Sequence, residues 1–283
     1  MSNFTPYSYG VSTTGNVKAL VASLSSVLLQ LSPPSAVFIR SEGEYPITSE
    51  FYLEQLFALA RIKDIEVSFH VGKSLGIRHA RDWLIRNSPT ELLWMGDDDV
   101  IYAPDCAGTL ISSTLDPAVD PETLAYINGT KADVTNRRGY RDFSLKTFQS
   151  CDALDGAGYN FVWEGPNKVV KSPTADTGNL LINTRNVIKK GIRFEHFEHS
   201  TNCSGDDTLF ALLCHRAGLL GYFATGAVAW HLEKPQVTSF NEFAARKNLV
   251  YQQAIAIGYA PNAAAKAVEQ MLAWEKLSPR GEH

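Results

Sequence analysis

Three consecutive aspartates, Asp97, Asp98 and Asp99, follow the apolar run "LLWM" at residues 92–95. Adjacent carboxylates repel one another by about 1 kcal/mol per pair at contact distance in water, and by more near a protein surface. A divalent cation, which prefers hard oxygen ligands, offsets that repulsion. At a strand end such a cation can bridge a substrate diphosphate and neutralise charge growing on a departing phosphate. A solvated turn is the plainer alternative. A second acidic pair, Asp206 and Asp207, stands at the head of the helical stretch "TLFALLCHRAG". By itself that pattern reads as a helix start, with Ser204 or Asp206 as the cap and Asp207 favoured by the helix dipole. His231 closes the strand-like "GYFATGAVAWH", and Tyr159, Trp163 and Trp230 offer rings suited to a sugar face or to a core.

The elements that must position these residues alternate along the first hundred positions. "YSYGVSTT", "AVFIR", "IEVSFHV" and "ELLWMG" read as strands. Between them "NVKALVASLSSVLLQLS", "SEFYLEQLFALARI" and "SLGIRHARDWLIRNS" carry the helical period, the first with Asn16 as its N-cap. Strands separated by helices of this length predict a mostly parallel sheet with helices on its faces. Ligands of such sheets collect at the carboxyl ends of the strands, where the aspartate triplet stands. Further on, a helix is expected within 105–119, a strand in "AYINGTKAD", a strand and short helix in "GNLLINTRNVIKKG", and a helix ending at Gly218. Two more helices are expected in 239–277. One domain over 1–235, with a nucleotide-binding half to about 104 and an acceptor half after it, plus a helical extension over 236–283, accounts for the pattern.

Composition excludes several classes. Among 283 residues, 45% are hydrophobic and 20% charged, so the chain can build a large core and is not a disordered one. A formal charge of −4 gives no global reason to expect nucleic acid or anionic membrane as a partner. No window supplies the roughly 18 uninterrupted apolar residues of a membrane span. "MSNFTPYSYG" has neither the basic nor the apolar region of a signal peptide. The four cysteines are scattered without C-x-x-C spacing, which reads as reduced thiols in a cytoplasmic protein.

Four segments in order add specificity. "YGVSTTGNVKALVASLSSVLLQLSPPSAVFIRSEG" resembles the opening of the family 2 glycosyltransferases of the GT-A fold, with its V-S-x-x-T-x-N type turn and its second strand. "LGIRHARDWLIRNSPTELLWMGDDDV" is similar to the family's G-x-x-x-A-R-N helix, apolar strand and metal-binding D-x-D. "TGNLLINTRNVIKKGIRF" and "SGDDTLFALLCHRAGLLGYFATGAVAWH" resemble its later T-G-N strand, its G-E-D helix and its closing histidine. The resemblance covers most of residues 9–231. It implies a Rossmann-like GT-A domain and a metal-dependent, inverting transfer of sugar from a UDP- or GDP-type donor to an acceptor hydroxyl.

Carried over by position, the resemblance implies that Asp99, Asp97 and His231 hold Mn2+ or Mg2+. Ser12 and Thr13 of the first turn, Glu42, Arg81, Asp97 and Asp98 would contact the nucleotide-sugar. Asp207 is the expected general base; Asp206 stands where the family has glutamate, and that departure leaves open which of the pair does the catalytic work. Asp82 departs from the A-R-N asparagine. A metal-dependent nucleotidyltransferase or phosphohydrolase and a non-catalytic nucleotide- or sugar-binding module remain the alternatives. The acceptor is open: a glycan, a lipid-linked sugar, a protein, or a nucleic acid met through Arg137, Arg138 and Arg141 in "TNRRGYRDFSLK".

Overall fold

The computed structural model describes residues 5–42, 51–73, 75–133, 167–172, 175–194 and 206–232, with Gln252 and Ile255. The expected helical extension over 236–283, apart from Gln252 and Ile255, the arginine cluster at 137–141, Tyr159 and Trp163 lie outside the described residues. Within them the chain runs β1 (Tyr7–Thr13), α1 (Val17–Leu28), β2 (Ala36–Ser41), α2 (Phe51–Ile62), β3 (Glu66–Val71), α3 (Ile77–Arg86), β4 (Leu92–Asp97) and β5 (Val100–Tyr102). It continues through α4 (Cys106–Ser113), β6 (Leu124–Asp133), β7 (Val169–Lys171), β8 (Asn179–Asn183), α5 (Thr184–Lys189), α6 (Asp206–Arg216) and β9 (Leu220–His231).

The nine strands form one sheet in the order β3-β2-β1-β4-β8-β6-β9-β5, with β7 also paired to β9. The four longest pairings, β1 with β2, β1 with β4, β2 with β3 and β6 with β9, are parallel. Short antiparallel pairings join β8 to β4 and β6, and join β5 and β7 to β9. The expected mostly parallel α/β sheet is therefore present. The reversed strand β8 at its centre is the feature that alternation alone did not announce. It matters for function, because a reversed strand begins where its neighbours end.

Local sequence explains the element boundaries. The Asn16 side chain accepts from the Ala19 N–H and starts α1. The start of α3 falls at Ile77 rather than Ser74, since Gly76 adopts φ 93°, outside the helical region. Chain reversals after α5 and α6 use Gly191 and Gly218 at φ 68° and 80°.

Each sheet face has its own core. Leu20 and Leu24 of α1, Leu53 of α2 and Leu110 of α4 pack with Tyr9 and Trp94 on one face. Leu84 of α3, Val187 of α5 and Phe210 of α6 pack with Leu93 and Met95 on the other. A fully buried side chain of this size contributes about 1.5–3 kcal/mol, so both helical layers are firmly seated. Side chains alternate along β4, with Trp94 in the first core and Leu93 and Met95 in the second. Asp97, two residues after Met95, thereby falls on the face that carries α3 and α6.

Candidate active site

Strand direction gathers the site. The carboxyl ends of β1, β2, β4, β6 and β9 share one edge of the sheet, with Ser12 in register with Asp97 and Thr13 with Ser41. The residues preceding β8 arrive at the same edge because β8 runs the other way. Ser12, Thr13, Glu42, Asp97, Asp98, Asp99 and His231 all stand along it, and Arg81 and Asp206 reach it from α3 and α6.

The three aspartates have three different surroundings. Asp98 Oδ2 accepts the Thr13 hydroxyl at 2.6 Å, and that hydroxyl oxygen in turn accepts the Gly15 N–H at 3.1 Å, so the first turn braces the triplet. Asp99 Oδ2 lies 3.2 Å from His231 Nε2. Backbone pairing sets this approach, since Val100 is opposite His231 and the Leu232 N–H donates to the Asp99 carbonyl. Asp97 is gripped from two sides: Arg81 NH2 donates to its Oδ1 at 3.0 Å, and Lys131 Nζ stands 4.0 Å from its Oδ2.

Both cations bridge to further acids. Arg81 NH1 donates to Asp206 Oδ2 at 2.5 Å, and Lys131 Nζ donates to Asp176 Oδ1 at 2.6 Å. Burial works against the charge on Arg81, but Asp206, Asp97 and Asp207 outweigh it and hold its pKa above the ordinary arginine value. Lys131 behaves alike: burial opposes its charge, and Asp176, Asp97 and Asp207 raise its pKa. Burial pushes the Asp97 carboxyl up, yet Arg81, Lys131 and His231 prevail and keep it below the usual aspartate range. Asp207 thus lies within electrostatic reach of both cations while remaining half-buried, whereas Asp206 is buried against Arg81.

Glu42 follows β2, 6% exposed, with Oε2 accepting the Gly76 N–H at 3.1 Å. Its Oε1 is buried with no hydrogen-bond partner among the described residues. Burial pushes this carboxyl up, against the opposing pull of Arg40 and the Gly76 amide. Asp82 does not turn to this edge. Its carboxylate takes Arg193 Nε at 3.2 Å and NH2 at 2.9 Å and the Phe194 N–H at 3.2 Å, which fastens α3 to the chain leaving α5.

Lys131 and Asp176 escaped the sequence reading. A lysine two residues before the end of an apolar strand was the available signal, and its acidic partner depends on the direction of β8. Gly178 completes this corner: a Cβ there would stand 2.7 Å from Lys131 Nζ and 2.9 Å from Asp97 Oδ2, so any larger residue would make those side-chain ends shift. The T-G-N asparagine is a structural bolt. Asn179 is fully buried, accepts from Trp94 Nε1 at 3.0 Å and donates to the Ala227 carbonyl at 3.0 Å, joining β4 to β9.

Among the described residues no three His, Cys, Asp or Glu side chains gather as a complete metal cage. Asp99 and His231 nevertheless make a fitting partial donor set for Mn2+ or Mg2+, which bind at one or two protein ligands and complete their shell with waters and substrate phosphates. Among the described residues no helix is long and apolar enough to cross a membrane.

No family model matches the chain, and no curated protein matches its sequence. Solved structures do match. A mannosyltransferase, PcManGT from Pyrobaculum calidifontis in complex with GDP-Man and Mn2+, is 16% identical with a TM-score of 0.62, over 98% of this chain and 76% of that one. S. aureus TarS 1-349 in complex with UDP-GlcNAc is 12% identical with a TM-score of 0.61, over 98% and 74%. GalNAc-T7 with UDP, GalNAc and Mn2+ is 12% identical with a TM-score of 0.61, over 99% of this chain and 59% of that one. At these identities the likeness establishes the fold, which is GT-A.

Proposed function

We propose that this chain is a metal-dependent, inverting glycosyltransferase that moves a sugar from a UDP- or GDP-type donor to an acceptor hydroxyl, with Asp207 as general base. The observation that carries the reading is the gathering, at one strand edge, of the Asp99–His231 pair, the doubly held Asp97 and the half-buried Asp207. The donors bound by the structures of like fold, UDP-GlcNAc and GDP-Man, support the substrate class.

In this reading Asp99 and His231 hold Mn2+ or Mg2+, which when bound supplies Lewis-acid stabilisation of the departing diphosphate. Lys131 and Arg81 add fixed positive charge beside Asp97, in a setting where preorganised charge costs no reorganisation. The buried Glu42 Oε1 takes an N–H or O–H of the donor's base or ribose, and Ser12, Thr13 and Asp98 shape the adjoining wall. Asp207 accepts the acceptor's proton while the acceptor oxygen bonds to the anomeric carbon and the bond to the diphosphate oxygen breaks with its electron pair. Asp206 is unsuited to that role because Arg81 already occupies it. Cys106 and Cys214, buried and free, suit a reducing, cytoplasmic compartment.

The test is to incubate the full chain with a panel of UDP- and GDP-sugars and Mn2+ and identify the nucleotide released. Release of UDP or GDP is expected, with turnover of Asp207→Asn lowered by about 10²–10⁴ and donor affinity retained. Release of UMP or GMP with sugar phosphate would instead assign nucleotidyl or phosphohydrolase chemistry.

A further inference from the structure

Asp206 and Asp207 are adjacent on α6, so their side chains leave the helix about 100° apart. Asp206 turns inward to Arg81, its side chain 2% exposed, and Asp207 is left on the more open side. The same guanidinium uses its other nitrogen on Asp97, at the end of β4. One rigid fork therefore holds two carboxylates, one from the strand edge where the donor's phosphates would lie and one from the first turn of the helix that carries Asp207. A lysine has no such fork. A carboxylate in the first turn of α6 is already favoured by the helix dipole, so helix capping by itself does not call for a buried arginine.

We propose that Arg81 and Asp206 are a positioning pair, which fixes Asp207 relative to the donor-phosphate edge without touching the reacting atoms. This rests on Asp207 being the base. The pair replaces a nucleotide-contacting role for Arg81 and a catalytic role for Asp206. Asp206 is the first residue of α6, and the body of the helix packs through Phe210, Ala211 and Cys214 in the second core. The Arg81 bridge links its first turn to β4 through Asp97. A displacement of about 1 Å at a catalytic group lowers turnover by about 10²-fold, so loosening this turn affects kcat while leaving the donor's own contacts at Asp99, His231 and Glu42 in place.

The experiment uses the full chain as wild type, Arg81→Lys, Asp206→Asn, Asp206→Glu and Asp207→Asn. Hydrogen exchange without ligand is read at the amides of residues 210–213, the first in α6 with intrahelical partners. Exchange about tenfold faster in Arg81→Lys and Asp206→Asn, with β4 amides unchanged, is expected; unchanged exchange in α6 overturns the tie. For Asp206→Asn, calorimetric affinity for UDP and GDP with Mn2+ should stay within about threefold, while kcat for donor turnover falls about 10- to 100-fold and Asp206→Glu recovers part of it. Nucleotide affinity and kcat falling by the same factor would show a merely structural bridge and overturn the proposal. Asp207→Asn separates the two readings: undiminished turnover there removes the base assignment, while the exchange data still decide whether the tie exists.

Discussion

Arg81→Met preserves much of the side chain's apolar stem and removes the fork that joins Asp97 to Asp206. Asp206, 2% exposed at its side chain, is then left buried without its cation. Breaking a buried pair from one side costs about 3–5 kcal/mol. The Asp97 arm adds at most about 1 kcal/mol, because that carboxylate is 24% exposed and keeps Lys131 at 4.0 Å. Unfolding entropy near 2.1 cal/mol/K per residue gives about 0.6 kcal/mol/K for 283 residues. The first figure then corresponds to a fall in Tm of about 5–8 °C.

The pH dependence has a definite sign. Asp97 is held below the ordinary aspartate value of 3.8, chiefly by Arg81 and then by Lys131, against the effect of burial. A carboxylate with a lowered folded pKa contributes its stability fully above the unfolded value and loses it as pH falls through the folded one. The part of the gap between wild type and Arg81→Met that comes from Asp97 is therefore full from neutral pH down to about pH 4 and narrows as pH falls further. Calorimetric unfolding of both proteins over that range measures it. A fall in Tm under about 2 °C at neutral pH, or a gap that widens on acidification, would refute the reasoning.

Two further substitutions probe the site's supports. Gly178→Ala puts a methyl 2.7 Å from Lys131 Nζ and 2.9 Å from Asp97 Oδ2; both are side-chain ends that can move aside, so the stability cost by urea unfolding stays near about 1 kcal/mol, while the shifted Lys131–Asp97 corner lowers donor turnover. Thr13→Val removes the 2.6 Å hydrogen bond to Asp98; a bond to a charged group is worth about 1.5–3 kcal/mol, and nucleotide affinity should weaken with it, while an unchanged midpoint and affinity would show that the first turn does not brace the triplet.

Local signals in the sequence carried a large part of this architecture. Asn16 and Gly218 mark helix ends through their own side-chain and backbone chemistry, and the apolar run before Asp97 points the triplet at the ligand edge because strand ends in α/β sheets do so. The partners of those residues were illegible for a different reason. Arg81 meets Asp206, and Lys131 meets Asp176, only after distant elements have paired, and ion pairs between distant elements leave no periodic trace. The reversal of β8 brings Asp176 and Gly178 to the edge, yet a short apolar strand reads the same in either direction. β5 and β7, at three residues each, fall below the length at which alternation can be seen. Asp82 stood out as a departure from the resembling motif, and its partners Arg193 and Phe194 show it to be a fastening of the fold.

The measurement that tests the central claim most directly is thermal unfolding of the full chain against a panel of nucleoside diphosphates, with and without Mn2+, beside Asp99→Ala. A ligand at about a hundred times its dissociation constant adds roughly 2.7 kcal/mol, or about 4–5 °C for a chain of this length. A manganese-dependent rise of that size with UDP or GDP, absent in Asp99→Ala, is the predicted result. No rise with any nucleotide, or a rise that survives the loss of Asp99, would contradict a metal-diphosphate site on these aspartates.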